Sequence, residues 1–375
     1  MSGRAAFLFL GEMLLLPHLY PVVEALGRMQ PDIRLDLWIS TSAHERILRR
    51  LLPDGLNVVL RRAPGFREVA DDRNPVLPNK LWMLARLAPA LARTPVVLCA
   101  EQTSLWLPSL LPMRTRFLKT SHGVGSMSAR EDRRRRAAWK LLVPSEMERR
   151  TYLDLGFTPE KVVATGYVKA AFPREQQTQP RFDADRPVLL YTPHWQRHRS
   201  SWWNWGPAIL DRLIEQRRFN IIFAPHQRLV EGVPELREIV ARVDRLGHVH
   251  ADIDSFATVD GSYTAAADIY LGDTSSQVVE FLARPRPCLF LNSHHVEWRT
   301  RADHAFWQCG EVVDSLDDLD GALDRAERVH GDYRAAQAAF AEAALGDTSG
   351  EAPVRVAQEM LAALGRKNVD ETEFV

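Results

Sequence analysis

The sequence predicts an α/β protein of two doubly wound domains, and three observations lead to this prediction. Short β-type runs alternate with amphipathic helical patterns from the start, a rhythm typical of parallel strands covered by helices on both faces. The rhythm stops at the polar, Gln- and Pro-rich segment 171–187 and restarts after it. At 375 residues, with 46% hydrophobic and 26% charged residues, the chain is long enough for two buried cores.

The first domain is predicted from six strand-type runs and the helical patterns between them. The strand-type runs are AFLFL, RLDLWIS, LNVVL, PVVLCA, RFLKTS and KLLVPS. The helical patterns are LYPVVEALGRM, AHERILRRLL and KLWMLARLAPALAR. These elements predict an N-terminal, acceptor-side Rossmann-like domain over residues 1–172, followed by a linker over residues 173–186.

The second domain repeats the pattern with five strand-type runs. These runs are PVLLYT, NIIFAP, HVHAD, DIYLG and PCLFLN, and the helical patterns are PAILDRLIEQRR, ELREIVARVDRL and SQVVEFL. Helices follow from about Ser315 to Leu364. We predict a donor nucleotide-binding Rossmann-like domain over residues 187–347 and a C-terminal helix and tail over residues 348–375.

Composition excludes several classes of function. The formal net charge is zero, so no global field favours nucleic acid as a partner. The three cysteines have no metal-type spacing and fit a reducing compartment. The most apolar stretch, AAFLFLGEMLLLPHLYPVV, is interrupted by Glu12, His18 and two prolines and is too broken for a spanning helix. We expect a cytoplasmic protein, with peripheral attachment to the inner face of the cell membrane left open.

Two segments suggest membrane-surface attachment. Residues 111–150 hold eleven Lys or Arg against four Asp or Glu. Within them, the run Arg133, Arg134, Arg135 and Arg136 is either a solvated helix face or a surface attracted to anionic lipid. Trp202, Trp203 and Trp205 are either an interface anchor or, for at least one of them, part of a core.

Candidate site residues lie in four loops that follow apolar runs, because ligands of parallel sheets bind at the carboxyl ends of strands. The loops contribute Ser121, His122, Gly123 and Gly125; then His194 and Gln196; then His226 and Arg228; and last Asp273, Thr274, Ser275 and Ser276, with Glu280 one turn into the next helix. The last loop has more hydroxyls than a helix cap requires, and a helix amino end with added donors suits a phosphate. A second copy of LGDTS, at residues 345–349, lies between helical patterns and predicts a plain helix cap.

The histidines have two interpretations each. His122 is either a turn residue or a general base or phosphate donor, and His226 and His194 have the same alternatives. Glu280 either accepts from ribose hydroxyls or is solvated. His248, His250 and Asp252 share one strand face as metal ligands do, but half-exposed strand histidines are the commoner case, and we expect no metal.

The motifs SHGVG, LLYTPHWQ, FAPHQ and ADIYLGDTSSQVVEFLARPRPCLFLN, taken together, resemble the CDP-glycerol glycerophosphotransferase family of teichoic-acid polymerases and primases, which have GT-B-like folds. The resemblance covers about residues 115–292. It implies a GT-B-like fold with the active site in a cleft between two Rossmann-like domains. By the same resemblance, Ser275 and Ser276 contact the donor phosphates, Asp273 shapes their loop, His226 holds the phosphate, and His122 is the base for the acceptor hydroxyl.

The implied reaction is transfer of a glycerol-phosphate-type group from CDP-glycerol, or a similar CDP-alcohol, to a hydroxyl of a lipid-linked, glycan or membrane-held acceptor. No cofactor is expected beyond this nucleotide-activated donor. Three alternatives remain open at the sequence level. They are a GT-B glycosyltransferase with a nucleotide-sugar donor, a sugar 2-epimerase of the same architecture, and a catalytically silent partner of a membrane assembly.

Overall fold

The computed structural model describes residues 3–69, 77–124, 131–173 and 180–365. The chain divides into two compact units. Unit 1 comprises Met1–Pro173 and Ala344–Val375, and unit 2 comprises Arg174–Ala343. The chain thus leaves unit 1 and returns to it at its C-terminal end.

The strands are short and rich in Leu, Val, Ile and Phe, and most are buried on both faces. In unit 1 they are β1 (Arg4–Phe9), β2 (Arg34–Thr41), β3 (Val58–Arg67), β4 (Val96–Cys99), β5 (Arg116–Thr120), β6 (Lys140–Val143) and β7 (Val162–Ala164). In unit 2 they are β8 (Val188–Thr192), β9 (Asn220–Phe223), β10 (Val249–Ala251), β11 (Ile269–Gly272), β12 (Cys288–Leu291) and β13 (Glu311–Val313).

The helices of the described residues connect these strands. They are α1 (Tyr20–Met29), α2 (Ser42–Leu51), α3 (Lys80–Leu91), α4 (Trp106–Leu110), α5 (Arg133–Ala137), α6 (Glu146–Asp154), α7 (Gly206–Glu215), α8 (Leu229–Gly232), α9 (Leu236–Val243), α10 (Ala257–Asp260), α11 (Ser262–Ala266), α12 (Ser276–Leu282), α13 (Leu319–Leu345) and α14 (Ala352–Ala363). Along the described parts of the chain, none of them is both long enough and apolar enough to span a bilayer.

Each unit contains one parallel sheet, so the predicted α/β class is confirmed. The order in unit 1 is β3-β2-β1-β4-β5-β6-β7, and the order in unit 2 is β10-β9-β8-β11-β12-β13. Every pairing between these strands is parallel; β11, for example, pairs with β8 by Ile269 opposite Leu189. The direction of strand addition reverses between β1 and β4 and between β8 and β11, which defines one topological switch point in each sheet.

The last helix, α14, packs on unit 1 and contacts α1. Its buried face includes Val356 and Met360. Arg116 donates to the Ala363 carbonyl at 2.7 Å, and Arg355 donates to the Thr165 carbonyl at 2.8 Å. The predicted linker is described only in part, because residues 174–179 lie outside the described residues.

Candidate functional site

The carboxyl edge of the unit 2 sheet carries three loops with polar side chains. The loops after β8 and β11 flank the switch point, where ligands bind in open α/β sheets. The loop after β9 lies next to the loop after β8, because these two strands pair. His194, His226 and Asp273, all predicted from the sequence, stand in these three loops.

Asp273 is buried, with 1% of its surface exposed, and it connects two of the loops. Its Oδ2 accepts a hydrogen bond from the His194 backbone N–H at 2.8 Å, and both carboxylate oxygens accept from the Ser201 N–H at 3.0 Å. Burial raises the pKa of Asp273 to about 7, and the backbone donors oppose this rise because they stabilise the carboxylate. Asp273 therefore holds the loop after β8 against the loop after β11.

His194 and His226 form a pair, with ring centroids 5.6 Å apart and ring planes at 64°. The Nδ1 of His194 accepts the Gln196 backbone N–H at 3.1 Å, and the Nδ1 of His226 accepts the Arg228 N–H at 3.2 Å. A neutral imidazole whose Nδ1 accepts must carry its proton on Nε2. Both histidines therefore offer an Nε2–H donor.

Both rings are neutral at pH 7. Burial lowers the pKa of His194 to about 3, and the nearby His226 and Arg199 contribute to this lowering. Burial also lowers the pKa of His226 to about 4, with repulsion by Arg228 as the second cause. A neutral N–H donor can contact an anion without the large cost of burying a cation.

Trp195 lies beside both histidines, with its ring centroid 6.0 Å from that of His194 and 6.1 Å from that of His226. The Arg228 guanidinium lies over the Trp195 ring, 5.2 Å from its centroid. The predicted residues His194, Gln196, His226 and Arg228 thus converge around a tryptophan that the sequence reasoning did not select. The signal was available, because Trp195 directly follows His194 after a strand.

A second missed contact connects the loop after β9 to α12. Gln227 donates from Nε2 to the Thr258 hydroxyl at 2.8 Å, and Gln277 donates from Nε2 to the Thr258 carbonyl at 3.0 Å. Thr258 lies in α10, on a segment with no strand-end motif, so no sequence pattern pointed to it. These contacts set the position of the β9 loop relative to α12.

The hydroxyl-rich loop has one described capping residue. Ser275 is the N-cap of α12, and its Oγ accepts from the Gln277 N–H at 3.3 Å. Thr274 is 5% exposed, so its side chain belongs to the interior and offers little surface to a ligand. Glu280 is half-buried in the second turn of α12, and the side chain of Ser276 lies outside the described part of the structure.

In the second LGDTS segment Leu345 ends α13 and residues 346–349 form a loop, so the prediction of a plain helix cap is wrong. The N-cap of α14 is Glu351, and it makes no side-chain capping bond. Asp347 instead accepts the Ser349 N–H at 2.8 Å, and its carboxylate pairs with Arg355. Proline at the second helical position fixes the helix start further along the chain.

In unit 1, His122 follows β5 and has the opposite tautomer. Its Nδ1 lies 2.9 Å from the Ala100 carbonyl, which can only accept, so Nδ1 carries the proton and Nε2 has a free lone pair. Desolvation by surrounding atoms, followed by the charge of Lys119, lowers the pKa of His122 to about 4. The residue as a whole nevertheless keeps an exposed surface, and its ring is neutral at pH 7.

The neighbours predicted with His122 have separate roles. Ser121 donates its hydroxyl to Glu148 at 2.9 Å. Gly123 borders open space, because a Cβ placed there would meet no atom within 4 Å. Gly125 lies outside the described residues.

Solved structures provide a comparison for the fold. No protein-family model and no curated protein sequence matches the chain. A structure of MnaA with UDP from S. aureus matches with a TM-score of 0.66 at 13% identity, covering 100% of both chains. A UDP-GlcNAc 2-epimerase from Neisseria meningitidis bound to UDP-GlcNAc matches with a TM-score of 0.59 at 14% identity, covering 96% of this chain and 100% of that one. The wall teichoic acid polymerase TagF soaked with CDPG matches with a TM-score of 0.63 at 13% identity, covering 97% of this chain and 89% of that one.

The chain has a GT-B-like fold. Identities this low support the fold and nothing beyond it. The GT-B-like expectation from the sequence is therefore confirmed at the level of architecture.

The switch point of unit 1 in this GT-B-like fold has an acidic residue that the sequence reasoning missed. Glu101 follows β4, is buried, and accepts from Lys80 Nζ at 2.7 Å and from the Thr103 hydroxyl at 3.0 Å. A Cβ on Gly11, in the loop after β1, would lie 2.9 Å from Glu101 Oε2. The rule that selected the other loops, a polar residue directly after an apolar strand, applies to Glu101 as well.

Most of the residues predicted for membrane contact are buried, packed against a core or ion-paired within the protein. Trp202 is 4% exposed and belongs to the core of unit 2, against which Trp203 and Trp205 also pack, so this part of the prediction is corrected for Trp202. These three aromatic rings lie within four residues directly before α7 and serve packing here. Arg135 is 7% exposed, which also removes it from the predicted surface.

The other members of the arginine run differ among themselves. Arg134 pairs with Asp132 at 2.7 Å, and Arg136 pairs with Glu131 at 2.6 Å. Arg133 is exposed at the beginning of α5. The run is therefore partly neutralised by the two acidic residues that precede it.

We predicted no metal at His248, His250 and Asp252, and this remains a prediction. The described residues contain no cluster of His, Cys, Asp or Glu side chains that could hold a metal ion. His250 lies 2.9 Å from the Tyr263 hydroxyl, which donates to Asp252 at 2.6 Å. His248 contacts the Ile214 carbonyl at 3.0 Å. These three residues thus have protein partners.

Proposed function

We propose that the chain is a transferase whose unit 2 binds a nucleoside-diphosphate-activated donor. The observation that supports this proposal is the pair of neutral histidines, His194 and His226, which both offer Nε2–H at the carboxyl edge of the sheet. Fixed neutral donors suit the oxygens of a diphosphate, and they need no reorganisation when charge develops on the leaving phosphate.

Asp273 has a supporting role in this proposal. Because it accepts the His194 backbone N–H, it sets the position of the ring that follows. Ser275 keeps a hydroxyl hydrogen while its oxygen caps α12, so the same residue can cap the helix and donate to a phosphate. The helix amino end adds about 0.3 to 2 kcal/mol per charge.

The donor that we propose is CDP-glycerol or a related CDP-alcohol. The acceptor oxygen attacks the phosphorus attached to the glycerol, the bond from this phosphorus to the bridging oxygen breaks, and CMP leaves with that oxygen. The acceptor proton passes to Nε2 of His122, whose tautomer leaves this atom free to accept it. The motif resemblance and the fold match to the TagF polymerase both support this choice.

The proposed acceptor is a lipid-linked or membrane-held hydroxyl compound. This class follows from the sequence resemblance and is independent of the histidine geometry. It is the part of the proposal that a donor assay alone does not address.

A nucleotide-sugar enzyme is the second candidate, and a specific observation favours it. Fold matches include a UDP-GlcNAc 2-epimerase bound to UDP-GlcNAc and MnaA with UDP. In this reading the same loops hold UDP, and Glu280 accepts from the ribose. The product would be a 2-epimer of the nucleotide sugar, or UDP released by glycosyl transfer.

Product analysis with two donors distinguishes these candidates. The full chain is incubated with CDP-glycerol or UDP-GlcNAc in the presence of a membrane extract, and phosphorus NMR follows CMP, UDP and unreacted donor. Our proposal predicts CMP from CDP-glycerol and no conversion of UDP-GlcNAc. Release of UDP, or formation of an epimer, would mean that the substrate is a UDP-sugar and not CDP-glycerol.

Variants of His122 and His226 separate an enzyme from a silent partner. His122→Ala should remove turnover while leaving donor binding intact, because His122 is proposed to act on the acceptor. His226→Ala should weaken donor binding itself. If neither variant nor the wild-type chain converts any donor, the silent-partner reading replaces the transferase.

A further inference from the structure

All four large apolar side chains that are exposed in the described residues stand on two neighbouring helices of unit 1. Leu81 and Trp82, at the beginning of α3, are 59% and 46% exposed. Leu110, which ends α4, and Leu111, which follows it, are 60% and 44% exposed. Because α3 and α4 contact each other, the two pairs of exposed side chains belong to neighbouring elements of unit 1.

The core of unit 1 does not explain these exposed residues. On α3 the inward positions Met83, Leu84 and Leu87 are buried, so this helix already has a complete apolar face toward the core. Its outward face would ordinarily be polar. Clustered exposed apolar side chains of this kind mark an interaction site.

Basic residues outnumber acidic ones in the part of the sequence that carries these apolar side chains. Residues 77–119 contain six Lys or Arg and a single acidic residue, Glu101, which is buried and paired with Lys80. The Arg86 guanidinium lies 4.1 Å from the centroid of the Trp82 ring. Arg114 is exposed shortly after α4, and Arg133 donates to the Ser109 carbonyl within α4 at 3.3 Å.

We propose that this surface docks onto an anionic lipid bilayer. We call it the α3–α4 surface and define it by Leu81, Trp82, Arg86, Leu110, Leu111 and Arg114. Trp and Leu side chains enter the boundary between headgroups and acyl chains, and nearby guanidinium groups contact lipid phosphates. This inference goes beyond the proposed function, because it holds for any donor.

A second copy of the chain fits this surface less well. A two-fold interface through these side chains would bring Arg86 and Arg114 of both copies close together, and residues 77–119 contribute no exposed carboxylate to it. Like charges in such an arrangement oppose association. An anionic membrane supplies the missing negative charge.

The α3–α4 surface differs from the membrane contact predicted from the sequence. That prediction used tryptophans that the structure places in or against the core of unit 2. In the sequence, Trp82 lies within the helical pattern KLWMLARLAPALAR and was not predicted to be a surface residue. It differs from Trp202, Trp203 and Trp205 because it is exposed on α3.

Vesicle flotation with the full chain tests the proposal. The vesicles are phosphatidylcholine alone or phosphatidylcholine mixed with phosphatidylglycerol. We expect binding to the mixed vesicles at low ionic strength, weak binding to the neutral ones, and loss of binding as salt is added. The double variants Leu81→Ser/Trp82→Ser and Arg86→Glu/Arg114→Glu should each weaken binding at least tenfold.

The matched control is Arg242→Glu/Arg245→Glu, which reverses two exposed charges on unit 2 and should bind like the wild type. Circular dichroism of every variant verifies that folding is unchanged, as expected for exposed positions. If Arg86→Glu/Arg114→Glu and the control weakened vesicle binding equally, binding would depend only on the net charge of the protein, and the proposal would be overturned. A concentration-dependent dimer that Leu81→Ser/Trp82→Ser converts to a monomer, without vesicle binding by the wild type, would assign the surface to a second copy instead.

Discussion

At the scale of residues, hydrogen-bond partners divide three histidines into two chemical types. His194 and His226 accept backbone N–H groups at Nδ1, whereas His122 faces a carbonyl oxygen. The first two are therefore donors at Nε2, and the third is an acceptor there. This division matches the proposed roles, with donors for the phosphate and an acceptor for the proton.

NMR of the imidazole nitrogens tests this division without any substrate. Long-range proton–nitrogen spectra at pH 7 should show His194 and His226 as neutral Nε2–H tautomers and His122 as the neutral Nδ1–H tautomer. Because their pKa values lie at about 3 to 4, none of the three should titrate between pH 6 and pH 8. Assignment uses the His→Gln variant of each residue. A cationic ring at pH 7, or one tautomer shared by all three, would contradict the geometry.

At the scale of elements, the loop after β8 depends on the buried Asp273. Its pKa is raised from 3.8 to about 7, so the folded chain holds this proton more tightly than the unfolded chain does. The corresponding contribution to the free energy of unfolding is present below about pH 4 and is lost as the pH rises toward 7. A neutral residue at this position should not show that loss.

We therefore expect Asp273→Asn to gain stability relative to the wild type as the pH rises from about 4 to about 7. Over the whole range the variant carries a constant cost of about 1 to 3 kcal/mol, because an amide nitrogen cannot accept the backbone N–H groups. Urea unfolding at several pH values measures both effects. Asp132→Asn is the control, because its pKa is lowered to about 2 by Arg134 and its pH effect lies below this range. A pH-independent difference for Asp273→Asn would disprove the raised pKa.

The loop that precedes α14 depends on a glycine at residue 346. Gly346 has φ of +63°, and a Cβ there would lie 2.3 Å from the Pro144 carbonyl oxygen. Gly350 also has a positive φ, +102°, but a Cβ there would meet no atom within 4 Å. Comparing alanine variants of Gly346 and Gly350 therefore separates the energetic cost of a left-handed backbone from the cost of a steric clash.

Gly350→Ala should cost about 1 to 2 kcal/mol, from the left-handed backbone alone. Gly346→Ala should cost clearly more, because either the backbone of Pro144 or the whole loop must shift. Chemical denaturation followed by circular dichroism compares the two variants. Equal destabilisation would mean that the loop does not pack closely on Pro144.

At the scale of the whole molecule, the sequence predicts the architecture well because the strands carry a strong local signal. Runs such as NIIF and CLFL are short, apolar and regularly spaced between helical patterns, and parallel sheets follow from that order. The loops after these strands were also found correctly, since the carboxyl-edge rule requires only strand positions. The rule was applied incompletely, and Glu101 was missed for that reason.

Other features depend on long-range packing and could not be predicted from local patterns. The helical pattern of α14 indicates a buried face but does not show that the face packs on α1, more than 300 residues earlier in the sequence. The burial of Trp202 and Thr274 and the histidine tautomers likewise depend on neighbours distant in sequence. The segment at residues 345–349 shows the same limit, because an identical five-residue motif forms a helix start in one place and a loop in another.

Calorimetric titration with CDP and CDP-glycerol tests the central claim most directly. The account predicts that the wild-type chain and His330→Ala, a control on α13, bind with equal affinity. It predicts that His226→Ala binds at least tenfold more weakly, because a hydrogen bond to a charged group contributes about 1.5 to 3 kcal/mol. If His226→Ala binds like the wild type, or if the wild type binds no nucleoside diphosphate when UDP is also tried, unit 2 does not hold a donor diphosphate through this histidine pair.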